Sequence, residues 1–303
     1  MWPKVFFAVA VLLICAGCER TADREVTVYA SQDQVYAEPM LSEFTRSTGI
    51  KVRAVYDSEA VKTVGLVNRL LREASNPQCD LFWNNEELRT RQLAARGILR
   101  ETNAWVAIGY RSRRIVINTN LVPTAKAPSS LASLTNTEWR GRIALAYPLF
   151  GTTATHFLAL RQQWGRQQWE SWCRALQANK PLLLEGNSMV VNFVGRGEAW
   201  IGLTDSDDIA AGQRSGMPVA ALPLTVESLL IPNTVALIRG SRNPDAADEL
   251  RAYLQRPETI QRLMKAGALD GSQAPRAGVM VDWAALLNDL DSATDTLRAI
   301  FVR

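Results

Sequence analysis

The sequence predicts a two-lobed α/β protein, in which each lobe holds a mostly parallel sheet with helices on both faces. Two observations support this prediction. Short apolar runs alternate with longer segments of helical periodicity along most of the chain, which is the pattern of a sheet wound with helices. The alternation is interrupted at Pro123 and Pro128 and again at residues 231–233, where we expect the chain to cross into a second lobe and return.

The first lobe begins with a strand in which Val26, Val28 and Ala30 alternate with polar residues. The helix that follows has Pro39 near its start and Gly49 beyond its end, a pairing typical of helix boundaries. In chain order we expect a strand at 26–30, a helix at 39–47, a strand at 51–56, a helix at 61–74, a strand at 80–83, a helix at 86–96 and an extended apolar segment at 105–118.

The second lobe continues the alternation. Asn187 and Ser188 are expected to cap a short helix, because their side-chain oxygens accept hydrogen bonds from a helix's first N–H groups. Residues 199–203 form a short apolar run, as expected of a strand covered on both faces. In chain order we expect a strand at 143–146, helices from Thr152 and at 166–178, a strand at 182–184, the helix from Asn187, strands at 199–203, 219–222 and 234–238, and helices after Pro244, Pro257 and Asp282.

These elements predict how the chain divides into lobes. The first lobe is assigned residues 26–118 plus 231–275, and the second lobe residues 119–230. Residues 276–303 are expected to form C-terminal helices, which we assign to neither lobe.

Residues 1–18 have the pattern of a lipoprotein signal peptide. Lys4 precedes an apolar run at 5–14, which is too short to span a bilayer. Small residues then lead to Cys18 in a segment that resembles a bacterial lipobox, although Cys15 stands where leucine is usual. We expect Cys18 to be acylated and to anchor an exported, monomeric protein through a polar tether at 19–25. Cleavage without lipid is the alternative.

Composition argues against several classes of function. The formal charge of +4 is small for 303 residues and the basic residues are scattered, which disfavours nucleic-acid binding. The densest group, Arg111, Arg113 and Arg114, is interpreted as a solvated strand edge. No HExxH or GxSxG motif and no nucleophile–histidine pair occurs, so we expect neither an enzyme nor a cofactor. Cys79 and Cys173 are interpreted as buried free thiols.

Polar residues collect where predicted strands end, which is where open α/β sheets place their ligand sites. Two such loops come from each lobe, so we expect them to face one another across a cleft. The residues expected to contact a ligand are Ser31, Gln32, Asp33, Trp83, Asn84, Asn85, Gly151, Thr152, Thr153, His156, Asn187, Ser188, Asp205, Ser206 and Asp207.

Several of these residues have two interpretations. The helix start at Gly151–Thr153 favours a bound anion through free N–H groups and the helix dipole, or Thr152 simply caps the helix. His156, the only histidine, either touches that anion or packs. Trp83 either stacks on an aromatic or cationic ligand or belongs to the core. The aspartates after residue 204 bind a cation or an amine, or they favour the start of the next helix.

Four segments carry a family resemblance over nearly all of the mature chain: VTVYASQDQVYAEPMLSEFTRSTGIKV, CDLFWNNEELRTRQLAARGIL, WRGRIALAYPLFGTT and GNSMVVNFVGRGEAWIGLTDSDD. They resemble, in the same order, the periplasmic ferric-iron-binding group of ABC-transporter solute-binding proteins. The resemblance implies a type II periplasmic-binding-protein fold, in which two α/β lobes joined by crossing strands close over a ligand. It also implies delivery of that ligand to a membrane permease driven by a cytoplasmic ATPase.

The iron ligands of that group are substituted in this chain. Asp33 stands at the position of the family's histidine, Asn85 at that of its glutamate, with Glu86 and Glu87 directly after, and Ser206-Asp207 at that of its adjacent tyrosines. The loss of phenolate ligands removes much of the expected ferric affinity. No firm metal site is therefore predicted. If a metal is bound, the carboxylates expected to hold it are Asp33, Glu86, Asp205 and Asp207.

These observations predict a solute-binding receptor of an ABC importer that takes a small polar, anionic ligand between its lobes. The anion site implied by the resemblance, near residues 151–154, is retained. A receptor for ferric iron or another metal with a bound anion is the first alternative. A receptor that senses its ligand without transport is the second, since both need the same closing cleft.

Overall fold

The computed structural model describes residues 24–56, 62–101, 105–275 and 278–302, so the predicted signal peptide and Cys18 lie outside the described residues. The strands are β1 (Glu25–Ala30), β2 (Lys51–Tyr56), β3 (Leu81–Asn84), β4 (Trp105–Asn118), β5 (Ile143–Ala146), β6 (Leu182–Leu184), β7 (Ile201–Asp205), β8 (Val219–Ala221) and β9 (Leu230–Leu237). The α-helices are α1 (Gln34–Thr48), α2 (Lys62–Arg72), α3 (Glu87–Ala95), α4 (Gly151–Trp164), α5 (Arg166–Ala178), α6 (Asn187–Gly195), α7 (Ser206–Arg214), α8 (Pro244–Leu254), α9 (Pro257–Ala266) and α10 (Trp283–Phe301).

The strands follow the order β2-β1-β3-β9-β4-β7-β5-β6, and β8 pairs with β4. Strand β1 runs parallel to β2 and β3, and β5 runs parallel to β6 and β7, whereas the long strands β4 and β9 are antiparallel to their neighbours. The first part of β4 pairs with β9, and its second part pairs with β7 and β8. Two mostly parallel α/β units are thus joined by shared strands, and the predicted fold class is confirmed.

Gly109 lies in β4 near the point where this strand crosses between the lobes. Gly109 has φ +147, and the register of the β4–β9 pair shifts beside it. A side chain at Gly109 would place its Cβ only 2.8 Å from the carbonyl oxygen of Gly271, which accepts a hydrogen bond from the N–H of Tyr110. The close approach of these two backbones explains the glycine.

The pleat of β4 separates two cores in the second lobe. Ile115 and Ile117 point into a large core together with α4, α5 and α10, and Val116 between them points into a smaller core with α6. The larger core also contains Leu88 of α3. Helix α10 contacts α3 of the first lobe as well as α4 and α5 of the second, so it packs against helices of both lobes. A separate core in the first lobe holds β1 and β3 between helices. No described helix is long and apolar enough to cross a membrane.

Three local predictions are corrected. Helix α1 begins at Gln34 and not at residue 39, so Pro39 lies inside it. The residue before the first turn of α6 is Gly186 and makes no side-chain cap, so Asn187 and Ser188 do not cap this helix as expected. The second part of β4, which the predicted division gives to the first lobe, pairs with β7 and β8 of the second lobe.

Candidate functional site

A buried cluster of charges lies where β4 crosses between the lobes. The Arg113 guanidinium is 2.6 Å from one carboxylate oxygen of Asp205, and Arg111 is 3.0 Å from the other. Arg111 also donates a 2.5 Å hydrogen bond to Asp207. All four residues are buried. The cluster joins β4 to the end of β7 and the start of α7.

The two arginines overturn the interpretation of this segment as a solvated strand edge. Arg111 and Arg113 are two residues apart on a strand, so their side chains share one face of the sheet. The register pairs Arg113 directly with Asp205 on β7, which lets the guanidinium and the carboxylate meet inside the protein. Of the three neighbouring arginines, Arg114 is the one that stays partly exposed, beside Asp270.

Asp205 and Arg111 keep their charges despite their burial. Burial alone would raise the pKa of Asp205, but the neighbouring Arg111 and Arg113 outweigh it and hold the pKa below its ordinary value. Burial likewise acts to lower the pKa of Arg111, and the surrounding aspartates raise it above its ordinary value. Burial lowers the pKa of Arg113 below its ordinary value, and the neighbouring Asp205 opposes that fall only in part. The Asp205 carboxylate and the Arg111 guanidinium are paired ions at neutral pH.

Thr152 and Asn187 complete the surroundings of Asp205. The Thr152 hydroxyl donates to Asp205 at 2.7 Å and the Asn187 amide donates to the same carboxylate oxygen at 3.1 Å. Arg113 in turn donates to the Thr152 hydroxyl at 3.1 Å and to the Asn187 amide oxygen at 3.0 Å. The starts of α4 and α6 are thereby fixed against the end of β7.

The first turn of α4 has no side-chain cap. Its flanking residue is Phe150, which makes no capping hydrogen bond, and Gly151 and Thr152 are already helical. The alternative that Thr152 merely caps this helix is therefore wrong, because its hydroxyl is bonded to Asp205. The N–H groups of this turn keep the partial positive charge that favours an anion.

The first lobe contributes a buried polar network from the ends of β1 and β3. The Ser31 hydroxyl donates to the side-chain oxygen of Asn84 at 2.7 Å and accepts from the N–H of Asn85 at 3.0 Å. Arg111 approaches the backbone oxygen of Asn85 at 3.4 Å. The structure thus brings Asn85, which Ser31 holds in place, against the charge cluster.

Glu86 caps helix α3, so its carboxylate is not available as a metal ligand. Its carboxylate accepts hydrogen bonds from the N–H groups of Leu88 at 2.7 Å and Arg89 at 3.1 Å and so caps α3. Thr155 of α4 donates to the same carboxylate at 2.9 Å. Burial raises the pKa of Glu86, and these bonds together with Arg89 only partly oppose that rise.

Trp83 does not offer a face to a ligand. Its side chain is completely buried in the core of the first lobe, and its indole N–H donates to Asn233 at 2.8 Å. The Asn233 amide donates in turn to Gln32 at 2.5 Å. The expected stacking role of Trp83 is corrected to the core alternative, because the ring has no exposed surface.

The His156 side chain is buried and is bonded to the backbone, away from a role in ligand contact. It is fully buried, and its Nε2 lies 2.6 Å from the backbone oxygen of Glu227. Burial and the neighbouring Arg113 lower its pKa to about 3, so the ring is neutral. The expected contact with a bound anion is corrected to the alternative of a buried side chain that hydrogen-bonds the backbone of Glu227.

The remaining predicted residues lie around the cluster. Asp33 is the residue before the first turn of α1 and is partly exposed, as is Ser188 in the first turn of α6. The Ser206 hydroxyl accepts from the N–H of Ser112 at 3.1 Å. Thr153 is buried and its hydroxyl is 3.5 Å from the Asn187 amide oxygen.

Three aspartates bring carboxylate oxygens close together. Ligand atoms of Asp205, Asp207 and Asp208 lie within 4.8 Å of one another. Asp207 and Asp208 also stand in the first turn of α7, where the helix dipole favours acidic residues. Because Arg111 already pairs with Asp205 and Asp207, a guanidinium occupies the side of this group that a cation would approach.

A second contact between the lobes flanks the cluster. The Tyr36 hydroxyl on α1 donates to the backbone oxygen of Asp207 at 3.1 Å and accepts from Arg214 of α7 at 2.7 Å. Tyr36, Arg111, Arg113 and Thr155 were not among the predicted site residues. The two arginines could have been found, because a strand places residues at i and i+2 on one face.

The chain belongs to the family of bacterial extracellular solute-binding proteins, whose model matches residues 26–269. Proteins of this class supply ligands to ABC importers. The chain is 28% identical over 214 residues to the Fe(3+)-binding periplasmic protein of Serratia marcescens, a match that covers 65% of this chain and 61% of that protein.

Solved structures show the same fold. Iron-bound HitA from Pseudomonas aeruginosa superposes with a TM-score of 0.79 at 18% identity, covering 91% of this chain and 99% of that one. AfuA from Actinobacillus pleuropneumoniae, with exogenous fructose-6-phosphate bound, also gives a TM-score of 0.79, at 17% identity, covering 92% and 99% of the two chains. The chain therefore has the two-lobed type II periplasmic-binding-protein fold.

Proposed function

We propose that this receptor binds a small anionic solute between its lobes and holds the anionic group at the first turn of α4. The observation that carries the proposal is the position of this turn. It has no side-chain cap, and it lies between the charge cluster and the contact of Thr155 with the opposite lobe. Helix N-termini at such positions favour carboxylate and phosphate groups.

The charge of the cluster supports an organic anion over a bare metal. Two arginines offset Asp205 and Asp207, so the surroundings are not strongly acidic. Gly151, Thr153 and Asn187 would face the anionic group, and Asn85, Ser188 and Ser206 would contact the rest of the solute. The relatives allow either outcome, since HitA is described with iron and AfuA with a sugar phosphate.

The metal alternative rests on one observation, the three aspartates with oxygens within 4.8 Å. A metal held there with an anion at α4 would need Arg111 to move, because its guanidinium contacts two of the three carboxylates. Breaking a buried ion pair of this kind costs several kcal/mol, on the order of 3–5. We therefore rank this alternative second.

Closure of the lobes supplies the mechanism. β4 and β9 connect the lobes, and the contacts of Thr155 with Glu86 and of Tyr36 with α7 hold the lobes together in this structure. A solute that touches both lobes stabilises this closed form, which an ABC permease would then recognise. We also propose that Cys18 carries the lipid that holds the monomeric receptor at the membrane.

The test is calorimetry of the purified mature protein with inorganic phosphate, fructose-6-phosphate, citrate and ferric chloride. The expected result is saturable binding of one of the three anions without metal. Asn187→Asp, which adds a negative charge beside the first turn of α4, should weaken the binding of that anion at least tenfold. Asn192→Asp on the same helix is the matched control and should leave binding unchanged.

Two results would overturn the proposal. One is protein from its own periplasm that carries one tightly held iron by native mass spectrometry and metal analysis. The other is equal anion affinity in the two asparagine variants. Uptake of the bound anion by cells with and without the gene separates transport from sensing, because normal uptake after deletion excludes the transport role.

A further inference from the structure

Helix α7 of the second lobe is in contact with two helices of the first lobe. Ile209 of α7 belongs to the smaller core of the second lobe, whereas Tyr36 of α1 and Leu263 of α9 belong to the core of the first. Helices α1 and α9 contact each other. Arg214, the last residue of α7, contacts both of them.

One side of the Arg214 guanidinium contacts α1. Its Nη2 donates a 2.7 Å hydrogen bond to the Tyr36 hydroxyl, and its Cζ lies 5.7 Å from the centre of the Tyr36 ring, within the range of a cation–π interaction. The same hydroxyl donates to the backbone oxygen of Asp207 at 3.1 Å. Tyr36 is therefore bonded to residues in both the first and the last turn of α7.

The other side of the guanidinium contacts the end of α9. Gly267 ends this helix with φ +82, and a Cβ at Gly267 would lie only 2.5 Å from the Nη1 of Arg214. Glycine suits this position for two reasons, since a φ of this sign strains other residues and a side chain would displace the guanidinium. The C-terminal end of a helix carries partial negative charge, which favours a cation there.

We propose that Arg214 is a latch between the lobes, which keeps a fraction of the receptor molecules closed before any solute binds. The proposal rests on the lobe closure proposed above. The planar guanidinium contacts α1 with one amino group and the end of α9 with the other. Because a solute that needs both lobes binds the closed form, the latch raises the apparent affinity without touching the solute. Arg214 is thus a positioning residue.

The first test is Arg214→Met, measured on the mature protein without solute. Spin labels at Asn76→Cys and Gln167→Cys, one exposed residue in each lobe, report the distance distribution. Wild type should show a closed and an open population. Arg214→Met should lower the ratio of closed to open molecules about fivefold, as expected for the loss of a hydrogen bond from a charged group. Arg196→Met removes an exposed arginine whose partner Glu198 lies in the same lobe, and it should leave the ratio unchanged.

Two glycine variants separate the latch from backbone strain. Gly267→Ala and Gly49→Ala each add a Cβ to a glycine that ends a helix with positive φ, +82 and +72, so both should lower the melting temperature. A Cβ at Gly49 lies in open space in the described structure, whereas a Cβ at Gly267 meets Arg214. Only Gly267→Ala should therefore lower the closed fraction.

Three results would overturn the proposal. They are a wild type that is entirely open without solute, a closed fraction that Arg214→Met changes no more than Arg196→Met does, and equal effects of the two glycine variants on closure. Because these measurements need no solute, their outcome is separate from the calorimetry that tests the anion site.

Discussion

The hydroxyl of Thr155 donates a 2.9 Å hydrogen bond to the carboxylate of Glu86, and this bond joins α4 of one lobe to the start of α3 in the other. The same carboxylate caps α3, which fixes its position within the first lobe. In the closure that we propose, Thr155 adds a donor to an acceptor that is already held in place. A contact made only in the closed form shifts the equilibrium toward closure.

The first prediction concerns this bond. Thr155→Val keeps the shape of the side chain but removes the donor, so the closed form should lose about 1 kcal/mol, roughly a fivefold shift toward the open form. Spin labels at Asn76→Cys and Gln167→Cys, both exposed and in different lobes, measure the distance distribution. The fraction of closed molecules should fall.

Thr90→Val is the matched control for this prediction. The Thr90 hydroxyl is also buried, but it bonds Asn84 and Thr234 within the first lobe. This variant should lower the melting temperature without changing the closed fraction. If Thr155→Val and Thr90→Val change closure equally, the interlobe role of Thr155 is wrong.

The second prediction concerns the buried pair of Arg113 and Asp205. Asp205→Asn removes the charge that both buried arginines face, and an unbalanced buried charge typically costs 3–5 kcal/mol. We expect urea unfolding at pH 7 to show a loss of about 3 kcal/mol. Asp248→Asn, whose partner Arg100 is partly exposed, is the comparison and should lose less than about 1 kcal/mol. Similar losses would contradict the buried role.

Much of the fold could be predicted because periodicity reports burial. The predicted bounds of α5 and β6 are those observed, and the extended segment at 105–118 is β4. The start of α1 was missed because Pro39 suggested a helix boundary that the structure places at Gln34. Proline inside a helix loses one hydrogen bond, a cost that tertiary packing of this helix outweighs.

The site was harder to predict because partners come from distant segments. Asn187 has the residue type of a helix cap, yet its amide bonds Asp205 and Thr152, which no local pattern shows. Trp83 lies near the carboxyl end of β3, where a ligand site is expected, yet its N–H is bonded to Asn233, 150 residues away along the chain. The arginines of β4 looked solvated because their counter-charges lie on β7 and α7.

The third prediction uses the fact that the chain has one histidine. Because burial and Arg113 lower the pKa of His156 from 6.5 to about 3, the unfolded chain binds a proton below pH 6.5 that the folded protein does not. The free energy of unfolding should therefore fall as the pH drops from 6.5 toward 3, by up to about 1.4 kcal/mol per pH unit from this residue.

The measurement is direct, since one imidazole gives one Hε1 resonance. We expect its chemical shift to stay constant between pH 8 and pH 5 in the folded protein. His156→Phe should flatten the pH dependence of stability in the same interval relative to wild type. An imidazole that titrates near pH 6.5 in the folded state would contradict the burial and hydrogen bond assigned to His156.

The fourth prediction concerns metal binding at Asp205, Asp207 and Asp208. Arg111 already neutralises two of these carboxylates, and hard trivalent cations need several free carboxylate oxygens. Wild-type protein mixed with ferric salts should therefore stay colourless and take up no stoichiometric terbium.

Arg111→Met removes the competing guanidinium, and it should raise terbium affinity at least tenfold, measured by sensitised luminescence. Arg114→Met, next on the strand but paired with Asp270, is the control and should bind terbium no better than wild type. Tight iron binding by wild type, or no gain in Arg111→Met, would show that the guanidinium does not keep metals from this cluster.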